Sequence, residues 1–134
     1  MSYSTLSIDW EDFGQLLCMY HYNKVTEPVK GSLERQTAIM LDMMDEADCK
    51  ATFFILGVTA KYRPDLVKKI ASKGHEIALH GQNHIAMFTL SPDEARKDLQ
   101  ESIDIVTQIT GEKIYGYRAP FFSINETNLW LLDM

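Results

Sequence analysis

Gly74-His-Glu-Ile-Ala-Leu-His-Gly-Gln-Asn-His84 is the stretch from which the rest of the chain can be read. Gly74 stops a helix, because glycine takes the left-handed backbone of a helix end without a Cβ penalty. His75 to Leu79 then reads as a short strand that delivers His80 at its C-terminal end. Four residues later stands His84, and two imidazoles at that spacing can close on one divalent metal. Alone the spacing says little, since a surface or half-buried histidine pair on a loop is the ordinary case. His75 opens the strand at the opposite end, so a core or hydrogen-bonding role is expected of it rather than ligation.

Outward from this strand the chain alternates. Tyr3 to Ile8 reads as a strand with Leu6 and Ile8 on one face; if it runs on, Asp9 and Glu11 share the other. Gln15 to Gly31 is irregular and reads as a long loop carrying Tyr20, His21 and Tyr22. Ser32 is placed to cap a helix to about Ala47, with Leu33, Met40, Met44 and Ala47 on one stripe. Ala51 to Leu56 is a continuous apolar run, as expected of a strand buried on both faces. Pro64 opens a helix through Lys73. Ser91-Pro-Asp-Glu94 is a capping box with proline at the first helical position. Its helix is expected to bury Leu99, Ile103, Val106 and Ile109 and to end near Gly111. A last strand is expected around Ile114 to Arg118, and Thr127 to Met134 reads as a helix interrupted in mid-course.

Strands alternating with helices predict an α/β fold, a parallel sheet wrapped by helices. Asp9, Glu11, His80, His84 and Arg118 all follow strands at their C-terminal ends, where such sheets assemble sites. The cluster Asp9-Trp-Glu-Asp12 can supply a third ligand and a base, and Arg118-Ala-Pro120 a cation and backbone donors. Three protein ligands and an open position are the usual form of a hydrolytic metal site rather than a structural one. Phe53-Phe54 and Phe121-Phe122 are expected as core and pocket wall respectively, and Trp10 as packing or pocket lining.

Composition narrows the classes. At 134 residues one domain with a real core is expected. A formal net charge of −6 leaves no basic stripe for a phosphate backbone, so no nucleic-acid partner is expected. No run of about 18 apolar residues appears, which disfavours a membrane-spanning helix. The first residues form no secretory signal, and Cys18 and Cys49 form no C-x-x-C pair, so reduced thiols and a cytoplasmic setting are expected.

The residues also resemble a known family. Gly74 to His84 looks like the second motif of NodB-type polysaccharide deacetylases, of the family four carbohydrate esterase superfamily. Ser7-Ile-Asp-Trp-Glu-Asp12 resembles the first motif in its D-x-E-D variant, and Gly116-Tyr-Arg-Ala-Pro-Phe-Phe-Ser-Ile124 the third. Thr52-Phe-Phe and the Ser91 helix sit where that family has comparable segments. The resemblance implies the N-terminal half of an irregular NodB-type (β/α) barrel and metal-dependent removal of N-acetyl groups from a glycan. By position His80 and His84 would bind metal, with Glu11 as the carboxylate ligand and Asp12 as its substitute. Asp9 would be the general base, Arg118 the cation holding it ionised and oriented, and Phe121 the backbone N–H donor to the oxyanion. The implied metal is Zn²⁺, with Ni²⁺ or Co²⁺ as alternatives.

The family takes its acid from a histidine in a later Leu-x-His motif, which residues 1–134 do not contain. A partial domain lacking its C-terminal part is therefore expected, with little turnover of its own and a homo-oligomer covering the open face. Two other readings stay open: an allantoinase-like C–N amidohydrolase of the same superfamily, and a non-catalytic metal- or glycan-binding module.

Overall fold

A computed structural model describes residues 4–134. Three parallel strands lie in the order in which they occur along the chain: β1 (Ser7–Trp10), β2 (Thr52–Ile55) and β3 (Glu76–Leu79). Ser7 pairs with Thr52 and Trp10 with Ile55; Thr52 pairs in turn with Glu76 and Ile55 with Leu79. This register aligns the three C-terminal ends, so the residues that leave them emerge together. The first strand starts later than expected and runs on to Trp10, and Tyr3 lies outside the described residues.

Parallel neighbours need crossovers long enough to return the chain to the same end of the sheet. Between β1 and β2 these are α1 (Phe13–Tyr22) and α2 (Ser32–Glu46); between β2 and β3, α3 (Gly57–Tyr62) and α4 (Pro64–Ser72). The expected loop from Gln15 is thus a helix for its first part. Asp12 caps it, its Oδ1 accepting from the Gln15 amide at 2.8 Å. Gln15 is fully buried and receives the Thr59 hydroxyl at 2.6 Å, which ties α1 to α3. The N-cap of α2 is Gly31, with φ 76°, and Ser32 is the first helical residue rather than the cap. On α2 the buried stripe is Leu33, Thr37, Leu41 and Met44, while Ala47 is exposed as the C-cap.

Helix α5 (Pro92–Thr110) starts at the expected capping box and stops at Gly111, φ 74°. Its buried face differs from the apolar stripe: Ala95, Asp98, Ser102 and Val106 point inward, and Ile103 is exposed. The reason is polar. Asp98 accepts from the Gln82 amide at 2.8 Å and Ser102 donates to the Gly81 carbonyl at 3.3 Å. The Gln82 amide would otherwise be buried without a partner, at a cost of about 1–3 kcal/mol, and Ser102 adds a second donor to Gly81 O.

The expected strand at Ile114–Arg118 is a single bridge of Tyr117 to Leu79, bonded on either side through Gly116 and Arg118. Pro120 follows at once and has no N–H with which to extend a ladder. The terminal segment is a 3-10 helix, Leu129–Asp133. Phe53 and Ile55 of β2 are fully buried between Leu41 of α2, Val67 and Ile70 of α4, and Val106 of α5. Each such side chain contributes about 1.5–3 kcal/mol by leaving water. Trp10 joins this core and donates its indole N–H to the Thr37 hydroxyl at 2.9 Å. No helix among the described residues is long and apolar enough to cross a membrane.

Candidate metal centre

The turn carrying the two histidines is held from three sides. His80 N–H continues the sheet by donating to Ile55 O at 2.8 Å. The first amides of α3 lack intrahelical partners, as at any helix start, and two donate into the turn: Gly57 to Gly81 O and Val58 to Gln82 O, both at 2.9 Å. Gly57 leaves room for the buried Gln82 side chain, since a Cβ would stand 2.0 Å from Gln82 Oε1. From the far side α5 supplies Asp98, whose Oδ1 also receives the Asn83 side-chain amide at 3.3 Å. Burial raises the Asp98 carboxyl above the ordinary aspartate range, against the pull of these donors.

Glu11, His80 and His84 form one cluster, with a ligand atom of each within 4.8 Å of the others. Glu11 Oε2 lies 3.2 Å from His84 Nε2 and 3.8 Å from His80 Nε2. Ligands of a tetrahedral ion with bonds of about 2.0–2.1 Å stand roughly 3.4 Å apart, so these spacings suit one small cation. Glu11 Oε2 is buried and accepts no hydrogen bond. A carboxylate oxygen so placed is costly without a cation. Burial, and secondarily the charge of Asp9, pushes the Glu11 carboxyl up to about 7. Burial, then the neighbouring His80, draws His84 down to about 4, which keeps its ring neutral and available as a donor. Imidazole nitrogens with one carboxylate are a donor set suited to Zn²⁺ and neighbouring divalent ions.

The His80 tautomer follows from its partner. Its Nδ1 lies 2.8 Å from the carbonyl oxygen of Arg118, which can only accept, so Nδ1 carries the proton and Nε2 presents a lone pair toward Glu11. Arg118 serves twice. Its carbonyl orients His80, while its guanidinium donates to Asp9 Oδ1 at 2.6 Å and Ser7 Oγ at 2.8 Å and lies over the Phe54 ring at 3.9 Å. Asp9 Oδ2 is left 3.9 Å from His80 Nε2, beside the cluster.

Asp12 is placed elsewhere. Its Oδ1 caps α1 and also receives the Val29 amide at 3.3 Å, and it is not in the cluster. Phe121 does border the site: its ring lies 4.7 Å from that of His84, and its backbone is left-handed, φ 58°, followed by Phe122 at φ 50°. Two bulky residues in that conformation in succession are strained. Phe54, read as core, is half-buried and stacks on Arg118 instead. His75 lies at the opposite, N-terminal end of the strands, accepting the Ala51 amide at 3.2 Å. His21 is exposed.

Three participants escaped the sequence reading. Ser7 and Asp98 carry no local signal for their roles. Tyr20, on the last part of α1, hydrogen-bonds His84 through its hydroxyl. Burial, with the nearby Glu11 charge, raises that phenol to about 12.

Residues 29–133 match the family model described as polysaccharide deacetylase. A peptidoglycan-N-acetylglucosamine deacetylase of Bacillus cereus is 33% identical over 93 residues, 69% of this chain and 34% of its own length. Among solved structures, the peptidoglycan deacetylase PdaC of Bacillus subtilis superposes with a TM-score of 0.67 at 30% identity, covering 73% of this chain and 48% of that one. A CE4 family pseudoenzyme from Bacillus anthracis superposes with a TM-score of 0.68 at 29% identity, over 72% and 34%. The chain thus spans about a third of the length of the curated relatives it matches. With its parallel α/β sheet corresponding to the N-terminal part of their NodB barrels, the chain belongs to the polysaccharide deacetylase family.

Proposed function

We propose that the protein is a metal-dependent N-deacetylase acting on an N-acetylated glycan, with Glu11, His80 and His84 as the metal ligands and Asp9 as the general base. The observation that carries this reading is the buried, unpartnered Glu11 Oε2 facing two Nε2 atoms, with a clamped carboxylate beside them. A divalent ion held there, Zn²⁺ or one of its neighbours Ni²⁺ and Co²⁺, supplies Lewis acidity toward water and an acetyl carbonyl.

The remaining roles belong to the chain. Arg118 fixes one oxygen of Asp9, so the other can accept a proton beside the cluster. The left-handed turn at Phe121 offers its backbone N–H to the developing oxyanion, and the exposed ring walls the opening. Curated relatives named for deacetylation of peptidoglycan and chitin support an N-acetylated sugar polymer as the substrate class.

A second reading has an observation of its own: a close structural neighbour is a pseudoenzyme, so the same scaffold can hold a site without turnover. Metal analysis after chelation and reloading, together with acetate release from N-acetylglucosamine oligomers, separates the two. The wild type should retain about one divalent ion per chain and His80→Ala with His84→Ala should retain none; metal kept by the double variant would sink the site. Acetate release supports the enzyme, and metal with glycan binding but no acetate supports the binding module.

We also infer self-association. Phe122, Leu129 and Leu132 are 83%, 53% and 71% exposed, which is apolar surface of the kind that subunit contacts cover. Light scattering checks this, and a monomer at micromolar concentration would contradict it.

A further inference from the structure

Tyr20 reaches across from α1 and makes two contacts with one residue: its hydroxyl meets His84 Nδ1 and lies 3.0 Å from the His84 carbonyl oxygen. A phenol has one proton to give, and a carbonyl can only accept. Both contacts are hydrogen bonds in one arrangement alone: the hydroxyl donates to the carbonyl and Nδ1–H donates to the phenolic oxygen. Nε2 is then left with its lone pair toward Glu11. The opposite tautomer gains nothing from Glu11, whose Oε2 accepts no hydrogen bond although His84 Nε2 is 3.2 Å away.

The ring is also held. Tyr20 and His84 meet edge to face at 6.0 Å, and Phe121 closes the triangle at 6.0 Å from Tyr20 and 4.7 Å from His84. Behind Tyr20, α1 is fixed in its first turn by the Asp12 cap and buried Gln15, and Leu16 and Met19 pack it against Leu56 and Val58. The Gln15 side-chain amide donates to Thr26 O at 2.6 Å, and its oxygen receives Thr59. The hydroxyl is therefore presented by a pinned helix rather than by a wandering loop.

We propose that Tyr20 is a positioning residue that locks His84 in its Nδ1–H tautomer and aims Nε2, doing from α1 what the Arg118 carbonyl does for His80. The role toward metal rests on the metal reading above; the tautomer does not. Outer partners of ligating histidines are worth about ten- to a hundredfold in metal affinity.

The test compares wild type, Tyr20→Phe and Tyr22→Phe, the last a control on the same helix with a 77% exposed side chain. Tyr20→Phe keeps the ring against Phe121 and His84, and its metal-free thermal unfolding reports whether packing survives. ¹⁵N NMR of the metal-free proteins reads the tautomer directly. His84 should show a protonated Nδ1 in wild type and in Tyr22→Phe, and should move toward Nε2–H in Tyr20→Phe. Zn²⁺ affinity by chelator competition should fall about ten- to a hundredfold in Tyr20→Phe alone. An unchanged His84 tautomer in folded Tyr20→Phe overturns the proposal. If wild type binds no Zn²⁺ yet the tautomer shifts, the metal reading fails and the tautomer lock stands. If wild type binds Zn²⁺ and Tyr20→Phe binds it equally well, the role toward metal fails alone.

Discussion

Arg118 donates to Asp9 across 109 residues of chain, at 2.6 Å. The pair joins the end of β1 to the bridging segment after α5, and the same Arg118 orients His80 through its carbonyl. The positions of the proposed base and of one proposed ligand are thus set by one residue. Because both side chains keep partial access to solvent, the ion pair matters more as a geometric clamp than as a source of stability.

Asp9→Asn is expected to leave metal content near that of wild type while lowering acetate release by about 10² to 10⁴, the usual range for a lost general base. Arg118→Lys should give a smaller loss, because a lysine cannot reach Asp9 and Ser7 together or stack on Phe54 in the same way. Metal analysis and turnover on one preparation decide it. Metal lost from Asp9→Asn in proportion to activity would make Asp9 a ligand instead.

Glu11 and Asp12 are neighbours with separable duties. Glu11→Gln should weaken Zn²⁺ binding strongly in a chelator competition, since it removes the proposed anionic ligand. Asp12→Asn should leave affinity and stability nearly unchanged, because asparagine caps helices as well as aspartate does, whereas Asp12→Ala should cost about 0.5–2 kcal/mol. Loss of metal from Asp12→Asn with retention in Glu11→Gln would exchange the two assignments.

What the sequence made legible follows from how local each signal is. The capping box at Ser91, the helix stop at Gly74 and the strand at the apolar run of β2 are set by neighbours within a few residues, and all three stand in the structure. Strand β2, however, buries one face fully and the other only in part. Helix α1 was not legible because apolar side chains occur on both of its faces: Phe13, Leu17 and Tyr20 are exposed while Leu16 is buried, which blurs the helical period. With α1 read as a loop, Tyr20 had no reason to be placed at His84. The inward face of α5 was missed for a different reason. Its apolar residues set one periodicity, but Asp98 and Ser102 face inward because they hydrogen-bond a turn distant in sequence.

Asp98 gives the site a pH signature in stability. Burial raises its carboxyl above the unfolded value, so the folded state holds this proton more tightly. Stability from this group is therefore fully present below the unfolded pKa and is lost as pH rises through the raised folded value. Asp98→Asn removes the titration. The stability of wild type relative to Asp98→Asn should decline as pH rises from about 4 toward neutrality, measured by urea unfolding of the metal-free proteins. A difference that is flat or grows over that range would contradict the burial argument.

Gly57 packs tightly against Gln82: a Cβ added there would meet Oε1 at 2.0 Å and the Gln82 Cα at 3.3 Å. Gly57→Ala must displace the buried Gln82 side chain and with it the turn that carries it, straining the amide bonds from Gly57 and Val58. A stability loss of about 1–3 kcal/mol is expected, as for other overpacked sites. Zn²⁺ affinity should fall with it, because His80 and His84 flank the displaced segment. Adding Gln82→Ala removes the nearer clash and leaves the tight but tolerable backbone contact, so the double variant should recover part of both losses. Gly57→Ala with wild-type stability and affinity would show that the turn yields freely, and that the contacts from α3 do not hold the ligands in place.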